Sequence, residues 1–135
     1  MILGEGKERD VLEGLVRDNA MADDVELPGF VEDPVPYMAH ADLFVLSSRW
    51  EGLGNVLVEA LAARCPLVAT DCPSGPQEIL EQGRHGTLVP PDDVAALAEA
   101  MGRALDAPHH PAAEAADRFR GDRVARRYLE TVGLG

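Results

Sequence analysis

With 135 residues, the chain is long enough for one domain with a buried hydrophobic core. Its formal net charge of −12 argues against nucleic acid as a partner, because neutralisation of phosphates supplies most of that affinity. Aromatic residues are scarce, and no apolar run approaches the roughly 20 residues that span a bilayer. We therefore expect a globular domain without membrane insertion. Cys65 and Cys72, with no further cysteine, are expected to be free thiols in a reducing cytoplasm.

The predicted elements alternate between strands and helices along the chain. In order, they are a strand end (1–6), a helix (8–19), an interrupted strand (25–31), a short helix (35–41), a strand (43–46), a helix (55–63), a strand (66–70), a brief helix (75–80) and a strand (86–89). Because the chain begins inside a core strand, we expect that upstream sequence is missing.

The C-terminal third is predicted to be helical. Asp92 or Asp93 caps a long helix. Its predicted apolar face consists of Val94, Leu97, Ala98, Met101 and Leu105. Residues 107–111 form a linker, and residues 113–132 form a last, Arg-rich helix.

This alternation of strands and helices predicts an α/β fold with a doubly wound parallel sheet. In such sheets, ligands bind beyond the carboxyl ends of the strands. The turn that contains Glu51 follows the apolar run 43–46 and is therefore expected at that edge.

The stretch from Ser47 to Ala63 is the candidate site. Its predicted helix exposes unpaired N–H groups in the first turn, an anion site that suits a diphosphate. Gly52 and Gly54 allow a ligand to approach the backbone closely. Glu51 and Glu59, with seven residues between them, suit the vicinal hydroxyls of two sugars, because ionised carboxylates only accept hydrogen bonds. The residues alone leave a second interpretation open, in which Glu51 caps the turn and Glu59 is a solvated helix charge.

The same stretch carries a resemblance to a known family. E-G-L-G-N-V-L-V-E-A-L-A resembles the E-x7-E signature of retaining glycosyltransferases of group 1, which have the GT-B fold. The C-terminal half of that family is also similar, in order, to the stretches Gly4–Arg9, Leu27–Val31, Ala41–Val45, Pro66–Thr70 and Gly86–Pro90. Asp71–Leu80 is similar to a subset of the family that acts in cell-surface polysaccharide or glycolipid synthesis. Residues 1–106 are thus expected to form a nucleotide-sugar-binding, Rossmann-like domain, and residues 107–135 a linker with the Arg-rich helix.

The resemblance implies a role for each matching position. Glu51 would be the catalytic residue that holds hydroxyls of the transferred sugar, and Glu59 would hold the ribose diol. Val31 and Asp33 would lie against the nucleobase. Backbone amides would meet the sugar and diphosphate from Gly52, Leu53, Gly54, Asn55 and Val56. The donor would be a UDP- or GDP-sugar, with no cofactor and no metal.

Two departures from the family limit what this chain is expected to do. The family's Arg and Lys, which neutralise the departing diphosphate, and its N-terminal acceptor domain lie upstream of the pattern found here. We therefore expect this chain alone to be inactive in hexosyl transfer for polysaccharide or glycolipid synthesis. The full-length enzyme would be cytoplasmic or peripheral to a membrane. Because the last helix of relatives contacts the missing domain, isolated copies could pair through its Arg-rich face, although a solvated face is the simpler expectation.

Two other functions stay open at this stage, a non-catalytic sugar-nucleotide-binding module and a sugar-nucleotide epimerase of the same fold. His40 is expected to end a helix, and His109 and His110 to lie in the linker. Ser74 is expected to cap the brief helix at 75–80.

Overall fold

The computed structural model describes residues 1–133. Its elements are α1 (Arg9–Asp18), α2 (Val35–His40), β1 (Phe44–Leu46), α3 (Asn55–Ala62), β2 (Leu67–Thr70), α4 (Pro76–Ile79), β3 (Thr87–Val89), α5 (Val94–Asp106), a 3-10 turn (Asp117–Phe119) and α6 (Gly121–Thr131). Among these described helices, none has the length and apolar character that a membrane span requires. The chain forms two compact units, and the boundary in sequence lies between Pro34 and Val35. The expected division at residues 106 and 107 stays a prediction.

In the first unit, the two predicted strands are reduced to one bridge. Leu3 and Gly29 pair in parallel, and the Ile2 N–H donates to the Glu26 carbonyl at 2.8 Å. Pairing stops there because Pro28 has no N–H to donate and Gly29 has a φ of +87°. The predictions of strands over 1–6 and 25–31 are therefore wrong.

The helix predicted over residues 8–19 is confirmed as α1, but none of its residues is buried. Arg9 fixes its start, with Nε 2.9 Å from Glu13 and Nη2 donating to the Leu27 carbonyl at 2.7 Å. Val11 and Leu15 are more than half exposed, so this unit leaves part of the helix's apolar face uncovered.

The second unit is built on a parallel sheet with the strand order β1-β2-β3. Phe44 lies opposite Leu67, and Val68 lies opposite Thr87. All four residues of β2 are buried, as expected for the central strand of a sheet covered on both faces.

Helices cover the two faces of this sheet. Leu67 and Ala69 share a core cluster with Leu57 and Leu61 of α3 and with Ile79 of α4. Val68, whose side chain points to the opposite face, packs instead with Val89 of β3 and Ala100 of α5. The predicted doubly wound α/β arrangement is thereby confirmed.

The predicted cap of α5 is confirmed, but its apolar face is partly wrong. Asp93 is the N-cap and accepts a hydrogen bond from the Ala96 N–H at 2.9 Å. Val94 and Leu105 are 79% and 53% exposed. The residues that pack toward the sheet are Ala96, Leu97, Ala100 and Ala104. A face of alanines fits here because small side chains let the helix approach the sheet closely.

The continuous helix predicted over residues 113–132 is also wrong. The chain forms turns, then the 3-10 turn, and is extended at Arg120 (φ −64°, ψ 136°) before α6 begins at Gly121. Two features account for the interruption. Gly121 propagates a helix poorly, and Ala115 packs into the hydrophobic core. α6 has no buried residue, and its apolar residues Val124 and Tyr128 are at least half exposed. Pairing of copies through this helix stays a prediction.

Candidate functional site

The candidate site lies in the second unit, on the turn between β1 and α3. This turn follows the carboxyl end of β1, the edge where parallel sheets bind ligands. Thr70, which is buried at the end of β2, donates a hydrogen bond from Oγ1 to the Ser48 carbonyl. The sheet therefore fixes the start of the turn.

Glu51 is half-buried within the turn. Its Oε1 accepts a hydrogen bond from the Ser48 hydroxyl at 2.6 Å. An ionised carboxylate offers about four acceptor positions, so this bond orients the group and leaves acceptors for other donors. Glu51 thus has the local contact that a turn-stabilising residue needs and retains the capacity to bind hydroxyls.

The N-terminus of α3 has no side-chain cap. Gly54 is the N-cap residue in a left-handed conformation (φ 75°, ψ 50°), and the first turn contains no acidic residue. The amides of Asn55 and Val56 belong to the first turn, which cannot pair within the helix. Because a helix N-terminus carries a partial positive charge, this end can receive an anion.

Glu59 is the fifth residue of α3, about 6 Å further along the helix axis than Asn55. It is half-buried and lies between the buried residues Leu57 and Ala60. A fully solvated helix charge is therefore not what the structure shows.

A second loop packs against this turn. Gly75, the N-cap of α4, has φ 100° and ψ −67°. A Cβ at Gly75 would lie only 2.6 Å from the Leu53 carbonyl oxygen, so the two backbones are in direct contact. No side chain caps α4, so the expectation that Ser74 does so is wrong. The contact joins Leu53 and Gly75, which are distant in sequence. Within the sequence, only the glycine at position 75 could have indicated it.

The side chains of three residues on the turn had no expected role, although Leu53 was expected to act through its backbone amide. Trp50 and Leu53, on either side of Glu51, are 77% and 53% exposed and place apolar surface beside it. Arg49 forms an ion pair with Asp92, whose loop follows β3, at 2.6 Å. The hydrogen bond from Arg49 to that carboxylate raises the pKa of the guanidinium above its usual value.

Val31 and Asp33 belong to the first unit. Val31 is half-buried and Asp33 is exposed, shortly after the bridge at Gly29. Phe30 between them and the bridge is 77% exposed. The first unit thus presents an exposed aromatic ring beside the two residues expected at the nucleobase.

Three of the four histidines are placed as the sequence predicts. His40 ends α2, with Nδ1 2.7 Å from the Pro36 carbonyl. His109 and His110 lie in the linker, against the carbonyls of Arg84 and Arg64. Across residues 1–133, no group of three or more His, Cys, Asp or Glu side chains is arranged to hold a metal ion.

Comparison with known proteins assigns the family. A family model described as "Glycosyl transferases group 1" matches residues 1–107. An alpha-D-kanosaminyltransferase of Streptomyces kanamyceticus is 35% identical over 147 aligned residues, which cover 99% of this chain and 38% of that enzyme. A second relative is 40% identical over 93 residues, which cover 69% of this chain and 26% of that enzyme. It is the N-acetylgalactosamine-N,N'-diacetylbacillosaminyl-diphospho-undecaprenol 4-alpha-N-acetylgalactosaminyltransferase of Campylobacter jejuni.

Solved structures support the same assignment. HepE from Anabaena, in complex with UDP and glucose, superposes with a TM-score of 0.81 at 26% identity, covering 97% of this chain and 39% of HepE. The expected fold, the Rossmann-like C-terminal half of a GT-B enzyme, is confirmed. This chain thus spans less than two fifths of each of these proteins.

Proposed function

The chain belongs to the group 1 glycosyl transferases, and we propose that it forms the donor-binding domain of an enzyme that transfers a hexosyl group from a nucleoside-diphosphate sugar. The transfer retains the configuration of the sugar and serves polysaccharide or glycolipid synthesis. The carrying observation is the pair of half-buried acids, Glu51 and Glu59, on either side of the uncapped N-terminus of α3. The UDP and glucose in the complex of HepE support the ligand class.

Each part of the turn has a task in this proposal. The diphosphate lies at the amides of residues 52–56, where the positive helix end stabilises it as a leaving group. Glu51 accepts hydrogen bonds from hydroxyls of the transferred sugar, and Glu59 accepts them from the ribose diol. Val31 and Asp33 contact the nucleobase. No metal is required, because helix-end amides and cations of the remaining polypeptide carry the developing charge.

The role of Glu59 is tested by calorimetric titration of UDP and GDP into the wild-type chain and Glu59→Ala. Loss of a charged hydrogen bond should weaken binding by about 1–3 kcal/mol. Glu99→Ala is the matched control, because Glu99 is an exposed helix residue paired with Arg103 on α5. Unchanged affinity in Glu59→Ala would remove the proposed ribose contact.

The role of Glu51 requires a different comparison. Glu51→Gln keeps an acceptor for the Ser48 hydroxyl and removes the charge. We expect it to bind the free nucleoside diphosphate as the wild type does and to lose the additional affinity for the nucleotide sugar. If Glu51→Gln lost as much affinity for the free nucleoside diphosphate as for the nucleotide sugar, a contact of Glu51 with the sugar alone would be contradicted.

This chain alone should bind the donor without turning it over, because the acceptor domain and the cations for the diphosphate are expected elsewhere in the enzyme. Incubation with a UDP- or GDP-sugar should release no nucleoside diphosphate. Release of nucleotide by the isolated chain would show that these additional parts are not needed.

A further inference from the structure

α4 contacts the candidate turn at both of its ends. At its start, the backbone of Gly75 meets the Leu53 carbonyl, as described above. At its end, the buried Ile79 extends Cδ1 to 3.6 Å from where a Cβ at Gly54 would lie. Gly54 is the N-cap of α3, so a displacement of α4 would be transmitted to the residues that begin α3.

Arg118 holds the C-terminal end of α4. Its Nη2 donates to the carbonyls of Glu78 and Ile79, at 2.9 Å for Ile79. A guanidinium at this end is favoured because the last carbonyls of a helix are unpaired and carry partial negative charge. α4 has four residues, too few to be stable by its own hydrogen bonds, so it depends on such contacts.

A network of polar contacts around Glu81 fixes Arg118 in turn. Its Nη1 lies 3.3 Å from Glu81 Oε1, while Arg84 and His85 approach Glu81 Oε2 at 3.2 and 3.5 Å. The guanidinium carbon lies 4.6 Å from the centroid of the Phe119 ring. About two thirds of the Arg118 side chain is buried. In this orientation the guanidinium reaches both carbonyls and the carboxylate.

We propose that Arg118 is a positioning residue for the donor site, which acts through α4 on the backbone of residues 52–54. This inference rests on the proposed function, because it assumes that those amides bind the diphosphate. Binding sites of this kind tolerate displacements of only about 0.5 Å. Without Arg118, the last carbonyls of α4 lose their donor, and Gly75 and Ile79 no longer hold the turn in place.

The test compares Arg118→Ala with two controls. Arg123→Ala removes an exposed arginine of the same C-terminal segment, paired with Asp117. Leu97→Ala destabilises the domain from the other face of the sheet. UDP and GDP affinities are measured by calorimetry at a temperature where each variant is fully folded, and the amide chemical shifts of residues 52–56 are recorded without ligand.

Arg118→Ala should bind the nucleoside diphosphate at least tenfold more weakly and should shift the amide signals of residues 52–56. Both controls should keep the wild-type affinity and signals. If affinity falls equally in Leu97→Ala at a matched loss of stability, Arg118 has a structural role only and the proposal is overturned. If Arg118→Ala does not fold, the same measurements are made on Arg118→Lys, which keeps the charge but cannot reach both carbonyls and Glu81.

The two readouts separate this inference from the proposed function. If the wild type binds neither nucleotide, the proposed function fails, while the ligand-free amide signals still test the link from Arg118 to the turn. If the wild type binds and Arg118→Ala binds equally well with unshifted signals, the positioning role alone is wrong.

Discussion

Gly75 and Gly52 are both glycines near the candidate turn, but alanine should act on them in opposite ways. At Gly75, a Cβ would lie 2.6 Å from the Leu53 carbonyl oxygen, and the φ of 100° disfavours any L-residue. Backbone strain of this kind costs about 1–3 kcal/mol. Insertion of a methyl group into a packed site costs a further 1–3 kcal/mol or so. Gly75→Ala should therefore lower the free energy of unfolding by about 2–6 kcal/mol, a large part of a typical domain's stability.

Gly52 is exposed, and a Cβ there would meet no protein atom within 4 Å. Gly52→Ala should leave stability unchanged or raise it by about 0.4–1 kcal/mol, because alanine reduces the freedom of the unfolded chain. If the backbone of Gly52 meets the donor closely, the added methyl group should nevertheless weaken nucleotide-sugar binding at least tenfold.

Urea unfolding followed by circular dichroism gives the stabilities, and calorimetric titration gives the affinities. A Gly75→Ala variant within 0.5 kcal/mol or so of the wild type would refute the contact between the two backbones. A Gly52→Ala variant with normal stability and unchanged affinity would refute close approach of the ligand at that residue.

Two further predictions concern stability. Asp93→Ala should destabilise the domain by about 0.5–2 kcal/mol in urea unfolding, because it removes the cap on the Ala96 N–H, whereas Asp93→Asn should lose much less. Burial raises the pKa of the Cys65 thiol, so above pH of about 8.5 the folded state holds a proton that the unfolded state has lost. The free energy of unfolding should consequently fall as the pH rises through this range, and Cys65→Ala should remove that part of the decrease. An identical pH dependence in both proteins would contradict this account.

Local sequence patterns predicted the elements near the sheet and failed where tertiary contacts decide. The apolar runs at β1 and β2 and the good helix formers of α3 are local signals, and their elements were confirmed. The first-unit strands failed because a run of apolar residues does not show how far two segments stay paired, and in residues 1–34 the pairing is limited to the bridge between Leu3 and Gly29. The last helix failed because its N-terminal part is held by the core and by α4 rather than by helical bonds.

The site was also predictable only where its residues are close together in sequence. Glu51, Gly54 and Glu59 belong to one strand-turn-helix unit, so their spacing in sequence fixes much of their arrangement. The contacts of Gly75 with Leu53 and of Arg118 with α4 join distant parts of the chain. No local pattern signals such contacts, and they became visible only in the folded structure.

NMR mapping of the binding site tests the proposed donor site most directly. UDP and GDP are titrated into the isotope-labelled chain while the amide signals are followed. With a donor site on the turn between β1 and α3, at least one nucleotide should bind saturably, with the largest shifts at the amides of residues 52–56 and at Glu59. Saturable binding with shifts confined to α5 or α6, or the absence of binding by both nucleotides, would contradict a donor site on the turn between β1 and α3.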